Sequence, residues 1–483
     1  MFCAVRWLGA DGDGFVRGIS SLILGCVLLA LPRTGSGQET LAAAPDSPPP
    51  ETAPIPKNYF VPLFDILAFD TLLNRVDYRF DRATYGVSLR SIRSNLRSPW
   101  VLDSDPFAID QFLHPYQGSV YHGFARSAGL NYWQSLLFTL GGSALWEIAG
   151  ETTLPSRNDQ IATGIGGTFL GESLFRLASR VLERTDNLTG FWREFSAAVL
   201  SPATGFNRLA YRDRFRNVFP SHDPPSFTRI QFGAMGTTSV QQASTQGIRR
   251  NEGAIDFSSA YGLPGDPKYI YHRPFDYFNF QFTTSTANRF ENIFARGLLV
   301  GSSYGHDSDR YRGIWGLYGT YDYVSPQVFR VSSTALSMGT TLQRKLSGSA
   351  ALQTTLLGGV GYGAGGGNGS ENANDFHFGL TPQLLADVRV SRTDRVAFDM
   401  ILRDYYVSRL ASVKHQGSEH IARADLVFAV RLRGRHGASA RYIWSRRVAS
   451  APESSQAAIV QSRGAVGLFY TYTHGKRFGA VEF

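Results

Sequence analysis

The chain has almost no cysteine. Its two thiols, Cys3 and Cys26, both lie in the first 37 residues, so a chain cleaved behind that leader carries none. Disulfide scaffolds, zinc-thiolate sites and cysteine nucleophiles are thereby excluded. A lack of thiols also suits passage through an oxidising compartment, where stray cysteines pair wrongly. Beyond the leader no segment reads clearly as a membrane-crossing helix. Basic clusters are missing too: the net charge is +9, yet Arg389, Arg392, Arg395, Arg403, Arg431, Arg433 and Arg435 recur singly. Without a phosphate-tracking stripe, nucleic acid is not an expected partner.

What the chain has instead is 50 Gly, 34 Phe and 22 Tyr, with 13% aromatics at a mean hydropathy of only -0.15. From residue 227 to 483 it falls into segments of about ten residues that alternate apolar with polar side chains and break at Gly, Asn, Asp or Ser. Phe278-Asn279-Phe280-Gln281-Phe282 shows the alternation plainly, and the polar run GAGGGNGSENAND separates two such segments. About twelve segments, from Thr228–Thr238 to Gly464–Thr473, predict a mainly β fold: a transmembrane antiparallel β-barrel of about 12 strands. In hydrocarbon every backbone N–H needs a partner on a neighbouring strand, and only a closed sheet supplies one to all. The scattered arginines then fall in the lumen or at the rims, favouring anions or lipopolysaccharide. Phe483 matches the aromatic residue that ends the last strand of many outer-membrane proteins, where barrel-assembly machinery reads it.

Four regions precede from this pattern. Residues 1–37 read as a signal peptide, with the apolar run ISSLILGCVLLAL at 19–31 behind Arg6 and Arg17. Residues 38–57 form a Pro-rich disordered linker. Residues 58–226 form a helical segment, and 227–483 the barrel. Within the helical segment, 58–128 reads as mixed, with short strand-like or turn-like pieces such as Tyr78-Arg79-Phe80. Helical patterns follow at Tyr132–Gly150 and Asn158–Glu183, the second capped by Ser156 or Asn158. Asn131, Gln134, Glu147, Glu151, Asp159, Glu172 and Arg176 argue against these helices spanning a bilayer. The expected arrangement is a helical hairpin that plugs or braces the barrel, in the lumen or in the periplasm.

The densest cluster of unusual residues is HPYQGSVYHGFAR (114–126) followed by GGSALWEIAGETTLPSRNDQIATGIGGTFLGE (141–172). Its HPY-x-G-S-x-Y stretch, W-E-x-x-x-E helix, P-S-x-N-D turn and G-G-x-x-x-G-E helix resemble the bacterial family catalogued as domain of unknown function 3943. The resemblance covers about residues 95–185. It implies a place in the cell envelope and no particular activity.

The candidate site residues are His114, His122, Glu147, Glu151, Asp159 and Glu172. Glu147 and Glu151, four apart, share one helix face, and Asp159 falls in a first helical turn where free N–H groups favour negative charge. Histidines with carboxylates are ingredients of acid–base or metal chemistry. However, no H-x-x-x-H or H-E-x-x-H is present, so neither a metal nor a cofactor is expected. A Ser156, His122, Asp159 triad lacks the G-x-S-x-G elbow. The plainer reading has the carboxylates meeting barrel arginines or tyrosines, while Gly164, Gly166, Gly167 and Gly171 pack against a wall or helix. The expected role is envelope structure or passage of a small solute or lipid through a bacterial outer-membrane barrel. The alternative is an enzyme acting on lipid or lipopolysaccharide through the His/carboxylate cluster. Expected partners are outer-membrane lipid and lipopolysaccharide, the assembly machinery through Phe483, and a periplasmic protein.

Overall fold

A computed structural model describes residues 56–474, except 104, 184–189, 216–218, 222–223, 242–247, 265–268, 306–309, 348, 368–375, 410–416 and 451–457. The signal peptide, nearly all of the Pro-rich stretch and Phe483 lie outside the described residues. The twelve alternating segments all become strands: β1 (Ser226–Gln241), β2 (Asn251–Tyr261), β3 (Phe278–Ser285), β4 (Asn292–Tyr304), β5 (Tyr311–Val324), β6 (Phe329–Lys345), β7 (Ala350–Gly367), β8 (Phe376–Arg392), β9 (Val396–Val407), β10 (Ser418–Arg433), β11 (His436–Ser450) and β12 (Ile459–His474). Each pairs antiparallel with its sequence neighbours, and β12 returns to β1, with Thr228 opposite His474, to close the barrel.

Period-two alternation gives the barrel two unlike faces. Leu384, Phe398, Leu402, Phe428 and Leu468 stand outward and exposed. Inward residues are polar and reach across the lumen. Arg229 on β1 pairs with Asp399 on β9, and Arg441 on β11 lies 3.3 Å from Asp256 on β2. The Tyr405 hydroxyl on β9 donates to Asp322 on β5 at 2.8 Å, and Arg403 on the same strand donates to Gln281 on β3 at 3.0 Å. These strands are not neighbours, so the contacts cross the interior and bar it. Asp399 also accepts from Arg389. Replacing Asp399 by alanine is expected to leave two buried guanidinium groups facing one another and to cost about 3–5 kcal/mol, read as an earlier urea midpoint in detergent.

The helical segment supplies α1 (Phe60–Tyr78), α2 (Arg82–Tyr85), α3 (Leu89–Asn95), α4 (His114–Ser127), α5 (Tyr132–Ala149), α6 (Arg157–Ile161), α7 (Gly167–Glu183), α8 (Gly190–Leu200) and α9 (Pro202–Ala210). Single π-helical turns at Ile109–Leu113 and Ala162–Gly166 lead into α4 and α7. One expectation is corrected here, and one pair of alternatives is decided. Residues 58–128 are mainly helical rather than strand-like or turn-like, with Tyr78 ending α1. The helices also brace the barrel and do not plug it. Phe107 meets Phe376 at 5.4 Å between ring centroids, and Phe112 meets Phe290 at 4.2 Å. Tyr321 donates to the Gln111 carbonyl at 2.6 Å. The Phe169 ring lies where Gly319 has no side chain, 2.3 Å from where a Cβ would stand. Phe278, Phe280 and Phe282 join the same apolar cluster, whereas Gln281 and Thr283 on either side of Phe282 turn inward to Asp256. The helices therefore cover the outer wall along β2 to β8.

The helical unit buries polar side chains among its apolar core and exposes large apolar ones. On α1, Asp65, Asp70 and Asp77 are buried while Phe60 (81% exposed), Leu63, Phe64 and Leu67 face outward. On α5, Ser135, Thr139, Ser143 and Glu147 are buried while Trp133 and Leu137 are exposed. Among the described residues no helix is long and apolar enough to cross a membrane.

Candidate functional site

The six candidate residues separate into two clusters, both within the helical unit. The first centres on Glu172 of α7. Its Oε2 accepts from His122 Nε2 at 2.9 Å and from Arg126 Nε at 2.7 Å, and its Oε1 accepts from Arg176 Nε at 2.8 Å. Arg176 continues to Asp276, between β2 and β3, at 2.9 Å. His122 and Glu172 are fully buried. Burial alone pushes the Glu172 pKa up, but Arg126, His122 and Arg176 together hold it well below the usual carboxylate range. His122 is pulled below its ordinary value by burial despite the carboxylate beside it, so a neutral ring donates its Nε2–H.

Glycines make this cluster possible. α4 and α7 touch at Gly118 and Gly167: a Cβ on Gly167 would stand 2.6 Å from Gly118 Cα and 2.9 Å from the Pro115 carbonyl oxygen. Side chains at either position would separate the helices that carry His122 and Glu172.

The second cluster is acidic. Residues 101–105 are strapped to the P-S-x-N-D turn, with Val101 N–H donating to Pro155 O at 2.9 Å and Arg157 N–H to Val101 O at 2.8 Å. Ser156 caps α6 by accepting from Asp159 N–H, and its own N–H donates to Glu147 at 2.8 Å. Asn158 accepts from Asp103 N–H at 2.8 Å and donates to Asp159 at 3.0 Å. These contacts bring Asp159 within 3.6 Å of His114. Asp110, in the first π-helical turn, completes the group. Glu151 stands to one side, accepting from Trp146 Nε1 at 3.0 Å and Thr153 Oγ1 at 2.9 Å.

The structure thus brings His114, Glu147 and Asp159 together and sets His122 with Glu172. Among the described residues none of the four carboxylates meets a lumen arginine, because the helices lie outside the wall. A Ser156–His122–Asp159 triad does not form: His122 Nε2 is spent on Glu172, and Ser156 caps its own helix. Sequence reasoning missed Arg126, Arg176 and Asp276, whose roles depend on tertiary contact. It also missed Asp110, although Asp110 and His114 are four apart and so share a helix face.

No curated protein matches the chain. Among solved structures, the NanC porin aligns with 7% identity and a TM-score of 0.27, covering 50% of this chain and 98% of its own. OmpT lacking loop L8, an outer-membrane protein of Vibrio cholerae, aligns with 8% identity and a TM-score of 0.20, covering 52% and 98%. The CymD monoaromatic hydrocarbon channel gives 9% and 0.22, covering 53% and 89%. At such scores these likenesses carry no argument about solute or chemistry; the barrel rests on its own strand pairing. Residues 99–203, the segment that holds both clusters, match the family model described as Domain of unknown function (DUF3943).

Proposed function

We propose that the protein resides in a bacterial outer membrane and works at the side of its barrel, on lipid, rather than by passing solute through the lumen. The observation that carries this reading is the outer face of the helical unit, where Phe60, Leu63, Phe64, Leu67, Trp133 and Leu137 stand exposed while Asp65, Asp70 and Asp77 are buried, the whole seated on the apolar wall. A water-soluble domain places these groups the other way round, whereas lipid tails meet such a surface without cost. Between the helices and the wall lies a small apolar cleft lined by Phe112, Leu170, Leu174, Phe257, Phe280 and Phe282. An acyl chain suits that lining. Lumen passage is disfavoured by the ion pairs that cross the interior. Catalysis by His122 is disfavoured by its burial and full engagement with Glu172.

Two measurements test this. In vesicles of phospholipid with brominated acyl chains, tryptophan emission is expected to be quenched, and the quenched fraction to fall in Trp133→Phe and Trp192→Phe. An unchanged fraction, with Trp133 instead open to aqueous iodide, overturns the lipid-side placement. In planar bilayers the wild-type chain is expected to stay closed, and a steady pore would restore the passage reading.

A further inference from the structure

The geometry points to a divalent-cation site formed by Asp103, Asp105, Asp110, His114 and Asp159. It stands independently of the lipid reading. One ligand atom each from Asp105, Asp110 and His114 lie within 4.8 Å of one another, and so do one each from Asp103, Asp110 and Asp159. Donors on opposite sides of one ion, each about 2.0–2.4 Å from it, stand apart by about that distance. Asp110 belongs to both groups and is the hinge of the argument. It is fully buried, and neither of its carboxylate oxygens has a hydrogen-bond partner among the described residues.

A buried carboxylate needs a counter-charge, a set of donors or a proton. Asp103, Asp105 and Asp159 crowd Asp110 with like charge, which deepens the need for a positive charge. The surroundings hold the ligands in place. Asn158 fixes the Asp103 backbone and the Asp159 side chain, and Ser156 anchors the turn. Asp110 and His114 are presented by one π-helical turn and the residue after it, and such turns gather at functional sites. The absence of a metal motif is no obstacle, because the ligands come from three segments of the chain. An oxygen-rich set with one imidazole suits Mn²⁺ or Zn²⁺ ahead of Ca²⁺ or Mg²⁺.

The test uses the full chain folded in detergent, stripped with EDTA and returned to Mn²⁺, Zn²⁺, Ca²⁺ or Mg²⁺ separately. Elemental analysis after desalting is expected to find about one Mn²⁺ or Zn²⁺ per chain, with slower proteolysis of the helical unit. Asp110→Asn is expected to weaken retention at least about tenfold, a loss already seen when groups merely supporting a metal's ligands are removed. Asp103→Asn, on the half-buried loop, provides a second reading if the first variant fails to fold, and Glu151→Gln should retain the ion. Retention of none of the four ions by the wild-type chain overturns the proposal, since protons then hold the cluster. So does retention undiminished in both Asp variants, which would place the ion elsewhere.

Discussion

Glu172→Ala is expected to release the helical unit from order while the barrel survives. The substitution leaves Arg126 and Arg176, both buried, without their shared carboxylate, and removes the acceptor of His122. Breaking a buried pair from one side costs about 3–5 kcal/mol; here Arg126 loses its carboxylate while Arg176 keeps Asp276, so the loss should fall within that range. Limited proteolysis should cut within residues 56–215 of the variant, while heat-modifiable migration, the property of a closed barrel, is retained. Equal loss of both would mean that the barrel needs its brace to close. The pH dependence follows from the depressed carboxyl. Its contribution is fully present above the ordinary value of 4.5, declines as the pH falls below it and is gone once the pH is under the lower folded value. Helical order should therefore persist through pH 4.5 and fail well below it, so far as this group governs it.

Gly118→Val is expected to be nearly as damaging through shape alone. A Cβ at Gly118 would lie 1.9 Å from the Thr163 carbonyl oxygen and 3.0 Å from Gly167 Cα. Both are backbone atoms, which cannot rotate aside, so α4 must move off α7. Overpacking costs about 1–3 kcal/mol where side chains can yield, and more is expected where they cannot. The His122–Glu172 bond would stretch with it, so the two effects should not add in a Gly118→Val, Glu172→Ala double variant. Gly141→Ala on α5 is the contrast: a Cβ there meets nothing within 4 Å. It is expected to be neutral, or to stabilise by up to about 1 kcal/mol through helix propensity.

The barrel was legible in the sequence because a wall with a polar inside and an apolar outside must alternate. Phe278, Phe280 and Phe282 against Asn279, Gln281 and Thr283 carry that signal without help from the rest of the chain. The helices from α1 to α4 were much less legible. Expectation places apolar residues on the buried face of a helix and polar ones outside, and α1 buries Asp65, Asp70 and Asp77 among Val61, Ile66 and Leu73 while it exposes Phe60, Leu63 and Phe64. Of the site, the four motifs marked the right region, and Glu147, Asp159 and His114 do meet. The pairing of His122 with Glu172 was not readable, because fifty residues separate them and helix approaches such as that at Gly118 and Gly167 bring them together. Nor was the side of the wall on which the helices sit. Alternation distinguishes the two faces of a sheet, and the phenylalanines that receive the helices look like any outward residues.

The helices grip the stretch from β2 to β8, while the seam that shuts the cylinder, β1 against β12, lies outside that stretch, one strand beyond β2. Synthesis makes the gripping part first and the seam's second edge last. The brace can therefore engage its half of the wall while the other half still stands open, and zipping the final edge needs nothing from it. A defect in the brace and a defect in the seam should accordingly stall biogenesis at different stages, the one leaving a shut but naked cylinder and the other a dressed but gaping sheet.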